Sequence, residues 1–212
     1  MKLTILMDNP QSWYVPYAKA LEAELNRRGH TVLVAERPEE VTAGDIAFFL
    51  SVEQMIKNDV RSKNKHNIVV HSSDLPRGKG WSPLTWQILE GKNEVVNTLF
   101  EAADKVDAGV IYCQDVIAFA GHELLSELHD AQGKSINRLI LQFVDAYPDV
   151  HGRAQEGEAT MYPKRSQKDS ELDSEKTIAE QFNLLRVVDN EKYPAFFHYR
   201  GKKYLIKIFK EE

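Results

Sequence analysis

A histidine stands at the end of an apolar run, Asn67-Ile68-Val69-Val70-His71. The run reads as a buried strand. The chain leaves it through Ser72-Ser73-Asp74-Leu75-Pro76-Arg77-Gly78-Lys79-Gly80-Trp81-Ser82 before Pro83 opens a helix. In an open α/β sheet, ligands bind in the crevice beyond the carboxyl ends of the parallel strands. An imidazole placed there can act as acid, base or hydrogen-bond donor near neutral pH. Gly and Pro make the following loop stiff and shaped. Its Gly78-Lys79-Gly80 triplet either brings backbone N–H groups close to a ligand or simply makes a turn.

Other chemistries find less support. No GxGxxG follows the first strand, and no GxxxxGK[ST] occurs. His122-Glu123 opens a zinc-type motif, but Ser126 stands where the second histidine belongs, so no metal site is expected. Cys113 lies in a β-branched, apolar run and reads as a core residue. Lys164-Arg165 follow Tyr162-Pro163 at the end of a strand-like stretch, a place for either solvated charge or a ligand loop.

The elements that must position these groups follow from periodicity. Strands are expected at Leu3–Met7, Thr31–Ala35, Asp45–Leu50 and Asn67–His71. A helix is expected at Pro16–Arg28, with Gly29 as its stop. Ser51–Asn58 reads as a short helix and Lys57–His66 as an exposed polar stretch. Pro83–Gly91 is helical, and Asn93–Phe100 and Gly109–Val116 are strands. Gly121–Tyr147 shows two helical patterns broken near Gly133, and Asp149–Gly157 is a loop. Thr160–Tyr162 is a short strand. Ser174–Val188 is an amphipathic helix through Ile178, Phe182, Leu185 and Val188. Phe196–Tyr199 and Lys203–Phe209 flank Arg200-Gly201-Lys202 as a terminal hairpin. Alternating strands and helices predict an α/β fold, Rossmann-like, with a mostly parallel sheet and helices on both faces. Residues 1–190 would form the main domain and residues 191–212 a hairpin extension.

Composition narrows the class. The chain has 212 residues and 42% hydrophobic content, ordinary globular values. Its 27 basic and 32 acidic residues give a net charge of −5, a poor start for nucleic-acid binding. With one cysteine no internal disulfide forms, which suits a reducing, cytoplasmic setting. The first apolar run meets Asp8 at once, too early for a signal peptide. No apolar stretch approaches the ~18 residues of a membrane span.

The segment after the fourth strand resembles the formyltransferases that use 10-formyltetrahydrofolate. Their pattern is met by His71, Ser73, Leu75, Pro76, Gly80, Pro83 and Trp86. Val106-Asp107-Ala108-Gly109 resembles the family's D-x-G turn, 36 residues after the histidine. Gln155 to Arg165, ending Ala-Thr-Met-Tyr-Pro-Lys-Arg, is similar to the segment that leads to the family's last strand. Asn183-Leu184-Leu185-Arg186 and Tyr193-Pro194-Ala195-Phe196-Phe197 resemble its closing helix and turn. The resemblance spans roughly residues 65 to 209 and implies the formyltransferase fold. It implies His71 and Asp107 as catalytic residues, and Lys79, Gly80, Trp81, Pro83 and Gly109 as contacts to the folate co-substrate. One position departs: the family carries an asparagine two residues before the histidine, where this chain has Val69. Asn67, Asn93, Gln114 or a water is left to fill that role.

Formyl transfer to an amine needs a neutral nucleophile, a proton acceptor and a donor to the developing oxyanion. Asp107 would orient and charge His71 or relay a proton. His71 would stabilise the oxyanion and protonate the folate nitrogen. Among acceptors, a methionyl-tRNA branch carries an extra RNA-binding domain for which this chain is too short. A glycinamide ribonucleotide branch needs a glycine-bearing phosphate loop, absent from Asp8-Asn9-Pro10-Gln11-Ser12-Trp13-Tyr14. The wording looks most similar to sugar N-formyltransferases, whose acceptor is a nucleotide-linked 4-amino-4,6-dideoxy sugar, here UDP-linked. Lys79, Lys164, Arg165 and Arg186 are then candidate diphosphate partners, and Tyr14, Tyr162 and Tyr193 candidate stacking groups. A homodimer is compatible with this branch.

Overall fold

The protein is described by a computed structural model over residues 1–211. In chain order it forms β1 (Lys2–Leu6), α1 (Val15–Arg27), β2 (Thr31–Ala35), β3 (Gly44–Phe49), α2 (Asn58–Arg61) and β4 (Asn64–His71). Then come β5 (Lys79–Gly80), α3 (Pro83–Leu89), β6 (Glu94–Glu101), β7 (Ile111–Ala118), α4 (Leu125–Ala146) and β8 (Met161–Tyr162). The chain ends in α5 (Phe182–Val187), β9 (Ala195–Tyr199) and β10 (Lys202–Ile206).

The central sheet has the order β2-β1-β3-β4-β6-β7. The first four strands in that order are parallel, while β6 runs antiparallel to β4 and β7 antiparallel to β6. The α/β alternation of the N-terminal half thus gives the parallel part, and the shorter β6–β7 connection gives an antiparallel edge. On one face, Leu21 and Leu25 of α1 and Leu139, Ile140 and Phe143 of α4 cover Leu3, Ile5, Ile46, Phe48, Ile68 and Leu99. Each such buried side chain contributes about 1.5–3 kcal/mol. The opposite face is covered more thinly: Leu6, Ala47 and Phe49 meet Val41, Ile56 and Val60. Beyond them, Val69, Phe100 and Ile111 meet Leu75 of the loop after β4.

Several elements differ from the sequence expectation, each for a local reason. Helix α4 runs unbroken through Gly133. That glycine is a close-approach site, since a Cβ there would lie 2.6 Å from the Tyr17 ring of α1. Gly133→Ala is therefore expected to destabilise by about 1–2 kcal/mol through overpacking, against its gain in helix propensity. Thermal denaturation reads the sign, and a stabilised variant would mean that the ring simply moves aside. The helix expected from Ser174 starts only at Phe182, preceded by a single 3₁₀ turn at Ala179–Gln181. Asp173, Thr177, Glu180 and Gln181 bond backbone groups of this stretch, an alternative to helical pairing, and Ile178 is exposed. Ser51–Asn58 is not helical; Ser51 has φ +56 and the helical turn begins at Asn58. The polar stretch Lys57–His66 contains buried Val60 and Asn64 and the start of β4.

The hairpin β9–β10 packs through Ala195, Phe197 and Ile206 against Leu185 and Val188 around α5. Its expected extent reached residue 212, which lies outside the described residues.

Candidate active site

His71 is the last residue of β4, so the strand delivers its side chain to the carboxyl end of the parallel array. Its Nε2 lies 2.9 Å from the Gly78 carbonyl. A carbonyl only accepts, so the proton of the neutral ring is assigned to Nε2. The carboxylate of Asp107 approaches the same nitrogen at 3.7 Å, and both side chains are largely shielded, 11% and 14% exposed. Asp107 sits at the tip of the β6–β7 loop with φ +48, a conformation uncommon for a non-glycine residue. Its Oδ2 accepts a 2.9 Å hydrogen bond from the Gly80 N–H.

The loop after β4 is held from two sides. Gly78 N–H donates to Thr160 Oγ1 at 2.8 Å, and Lys79 and Trp81 N–H groups donate to the carbonyls of Thr160 and Tyr162. β5 and β8 thereby form a short parallel pair. Gly80, with φ +93, passes so close to this strand that a Cβ would meet the Tyr162 carbonyl at 2.6 Å. Trp81 follows, 37% exposed, with Lys164 Nζ 4.1 Å above its ring and 3.7 Å from Glu53. The result is an imidazole–carboxylate pair with one aromatic ring and one cation on the adjoining loop segments. Such a pair can take a proton from an attacking amine and place a donor beside a developing oxyanion.

No family model matches the chain. Its structure superimposes on a methionyl-tRNA formyltransferase from Clostridium thermocellum with a TM-score of 0.83 at 21% identity, covering 100% of this chain and 94% of that one. It matches a sugar N-formyltransferase from a Shewanella species with a TM-score of 0.75 at 15% identity, covering 100% and 98%. HypX from Aquifex aeolicus in complex with tetrahydrofolic acid matches with a TM-score of 0.83 at 19% identity, over 98% of this chain and 37% of that larger one. The fold is that of the formyltransferases. Because the match covers nearly all of the Clostridium thermocellum structure, chain length does not set this protein apart from the methionyl-tRNA branch.

Within this formyltransferase fold the expected residues divide into those grouped around the His71–Asp107 pair and those elsewhere. His71, Asp107 and Gly80 are joined by direct contacts, and Trp81 follows Gly80 with Lys164 over its ring. Lys79 is half-buried in β5, and Pro83 is buried in the first turn of α3. Gly109 has a packing reason of its own, as a Cβ would lie 1.7 Å from the Glu101 carbonyl. Tyr162 is not a free stacking partner: it stacks on Trp86 at 6.0 Å and bonds Glu90 at 2.8 Å, and burial pushes its hydroxyl pKa up. Arg165 is half-buried, bonds the Asp169 carbonyl and lies 5.9 Å from the Trp86 ring centroid; burial lowers its pKa. Tyr14 is a core residue, 1% exposed, donating to Asn137. Tyr193 is exposed beside the hairpin. Arg186 corrects the sequence reading most clearly. It is 1% exposed and its guanidinium binds Glu123, Asn93 and Asn183, so it cannot reach a nucleotide in this conformation.

The place of the family asparagine is apolar. Val69 packs in the cluster of Leu75, Phe100 and Ile111. Asn67 bonds the Arg61 carbonyl, four residues or about 13 Å back along the strand. Asn93 accepts from Arg186. Gln114 alone shares a cross-strand row with His71, through Thr98. Its Nε2 already donates to Asp74 and Thr98. Cys113 keeps its structural reading: it is half-buried, and burial pushes its thiol up to about 11. Thr160 and Gln155, which brace the two site loops, carried no individual signal beyond their place in the Gln155–Arg165 segment.

Proposed function

We propose that the protein transfers the formyl group of 10-formyltetrahydrofolate to the amine of a nucleotide-linked 4-amino-4,6-dideoxy sugar, UDP-linked in this reading, within surface-glycan or nonulosonic-acid biosynthesis. The observation that carries the reading is the His71–Asp107 approach at 3.7 Å on the formyltransferase fold. Trp81, partly exposed one residue beyond the Gly80 N–H that binds Asp107, offers a ring suited to stacking on a planar pterin. Asp107 takes the proton as the amine adds to the formyl carbon. His71 donates from Nε2 to the developing oxyanion; as the C–N10 bond breaks, the Nε2 proton passes to N10 of the folate and Asp107 returns the amine's proton to Nε2, leaving a neutral ring and a carboxylate. With Val69 apolar, no asparagine amide shares that oxyanion, so more of its stabilisation falls to His71.

The test is incubation with the formyl-folate donor and UDP-, dTDP- and GDP-linked amino sugars, read by mass spectrometry. One added formyl group on a nucleotide amino sugar is the expected result. Formylation of glycinamide ribonucleotide instead would move the acceptor to that branch. Tight binding of donor and sugar without transfer would make the chain a binding protein. Arg165→Ala is expected to raise the sugar-nucleotide KM several-fold with the folate KM unchanged; an equal change in both would remove Arg165 from the acceptor side.

A further inference from the structure

We infer that Gln155 is a positioning residue that holds the catalytic turn around Asp107, an inference that deepens the functional reading above and rests on it for its kinetic part. The β6–β7 loop is anchored well at its base. Ala102 N–H donates to the Asn67 carbonyl, Arg61 donates to the Ala102 carbonyl and pairs with Asp104, and Glu101 N–H donates to the Val110 carbonyl. None of these bonds reaches the tip. At the tip, Gln155 Nε2 donates to the carbonyls of Asp107 and Gly109, both at 2.9 Å. One amide thus uses both its protons to fix the two ends of the Asp107-Ala108-Gly109 turn.

Two further observations set this contact apart from ordinary loop packing. Between His151 and Met161, Gln155 is the one residue that is partly buried rather than exposed, so it is the most enclosed side chain of the segment. Its Oε1 is buried without a partner among the described residues, so the side chain is held through its N–H₂ alone. The turn it holds needs holding: Asp107 has φ +48, and Gly109 is pressed on the Glu101 carbonyl. The carboxylate is then aimed between Gly80 N–H and His71. Gln155 reaches the chemistry only through this turn.

The test uses Gln155→Leu, which removes the donors, and Gln155→Glu, which keeps the shape and turns the donors into acceptors facing two carbonyls. The Gly80 amide reports the carboxylate without any substrate, because it bonds Asp107 and not Gln155. In ¹⁵N spectra of the free protein, its resonance is expected to shift and its hydrogen exchange to quicken in both variants, as in Asp107→Ala. In turnover, kcat is expected to fall about 10–100-fold, the scale of an ångström-sized misplacement, with the acceptor KM unchanged. In an Asp107→Asn background, Gln155→Leu should add little, because both changes act on one group. A Gly80 amide that stays put in a folded variant overturns the assignment. So does full additivity with Asp107→Asn, or loss of folding in both variants, since the side chain would then brace the fold at large. If the wild-type chain formylates no acceptor, the functional reading fails while the Gly80 signal still decides the role of Gln155.

Discussion

Replacing His71 by alanine is expected to lower kcat for formyl transfer by about 10³-fold. The size follows from two roles in one ring. A positioned general acid is worth about 10²–10⁴-fold, and removal of a single oxyanion donor costs about 10²–10³-fold. The roles are sequential uses of the same Nε2 proton, so they do not multiply. Asp107→Asn should lower kcat by about 10²-fold or more: the amide can still accept from Gly80 N–H through its oxygen, but it cannot take the amine proton. Both variants should melt near the wild-type temperature, because neither side chain is part of an apolar cluster. The measurement is kcat at saturating donor and acceptor, beside a melting curve. Near wild-type turnover in His71→Ala would sink the catalytic assignment. An unchanged His71→Ala with a crippled Asp107→Asn would make the carboxylate the sole proton carrier and the imidazole a spacer.

The sequence made part of this site legible and hid the rest for physical reasons. His71 could be placed because a strand's end is visible in its own residues: the apolar run stops, and Ser, Pro and Gly follow. Strand β2 was legible to the residue for the same reason. Asp107 is different in kind. Nothing in Val106-Asp107-Ala108-Gly109 says that its carboxylate meets an imidazole in another strand, so only the resemblance located it, and the 3.7 Å approach is a property of the folded chain. Gly133 misled because a glycine inside a helical pattern reads as a break, whereas here it admits the Tyr17 ring. The Ser174–Val188 stretch misled because hydrophobic spacing does not reveal that Asp173, Thr177 and Gln181 tie the backbone into turns first. Gln155 gave no signal beyond its place in the segment resembling the family's: its partners are backbone carbonyls 48 and 46 residues away, and carbonyls have no sequence.

Arg186 is the residue whose reading changed most, and it carries the largest expected stability effect. Seen in sequence, an arginine on an amphipathic helix is a candidate diphosphate partner. In the fold it is a clasp. From α5 it donates to the Glu123 carbonyl, to Glu123 Oε2 at 3.1 Å, and to the side-chain oxygens of Asn93 and Asn183. It thereby ties the closing helix to the start of β6 and to the loop before α4, positions 93 and 63 residues away in the chain. Arg186→Met keeps much of the volume but removes every donor. Three acceptor side chains then lose a partner inside the protein, one of them a carboxylate only 16% exposed. Breaking such a buried pair from one side costs about 3–5 kcal/mol. The lower end is expected here, because Glu123 still accepts from the N–H groups of Ala120 and Gly121. For a chain of this size ~3 kcal/mol corresponds to a Tm lower by about 6–12 °C. Arg186→Lys should fall between, since an ammonium keeps the charge but cannot reproduce the planar, multiply bonded fork. Melting curves of the two variants measure the effect, and kinetics well below the melting range should show kcat and the sugar-nucleotide KM within about two-fold of wild type. An unchanged Tm with a raised sugar-nucleotide KM would return Arg186 to the ligand, and would require α5 to open when the nucleotide binds.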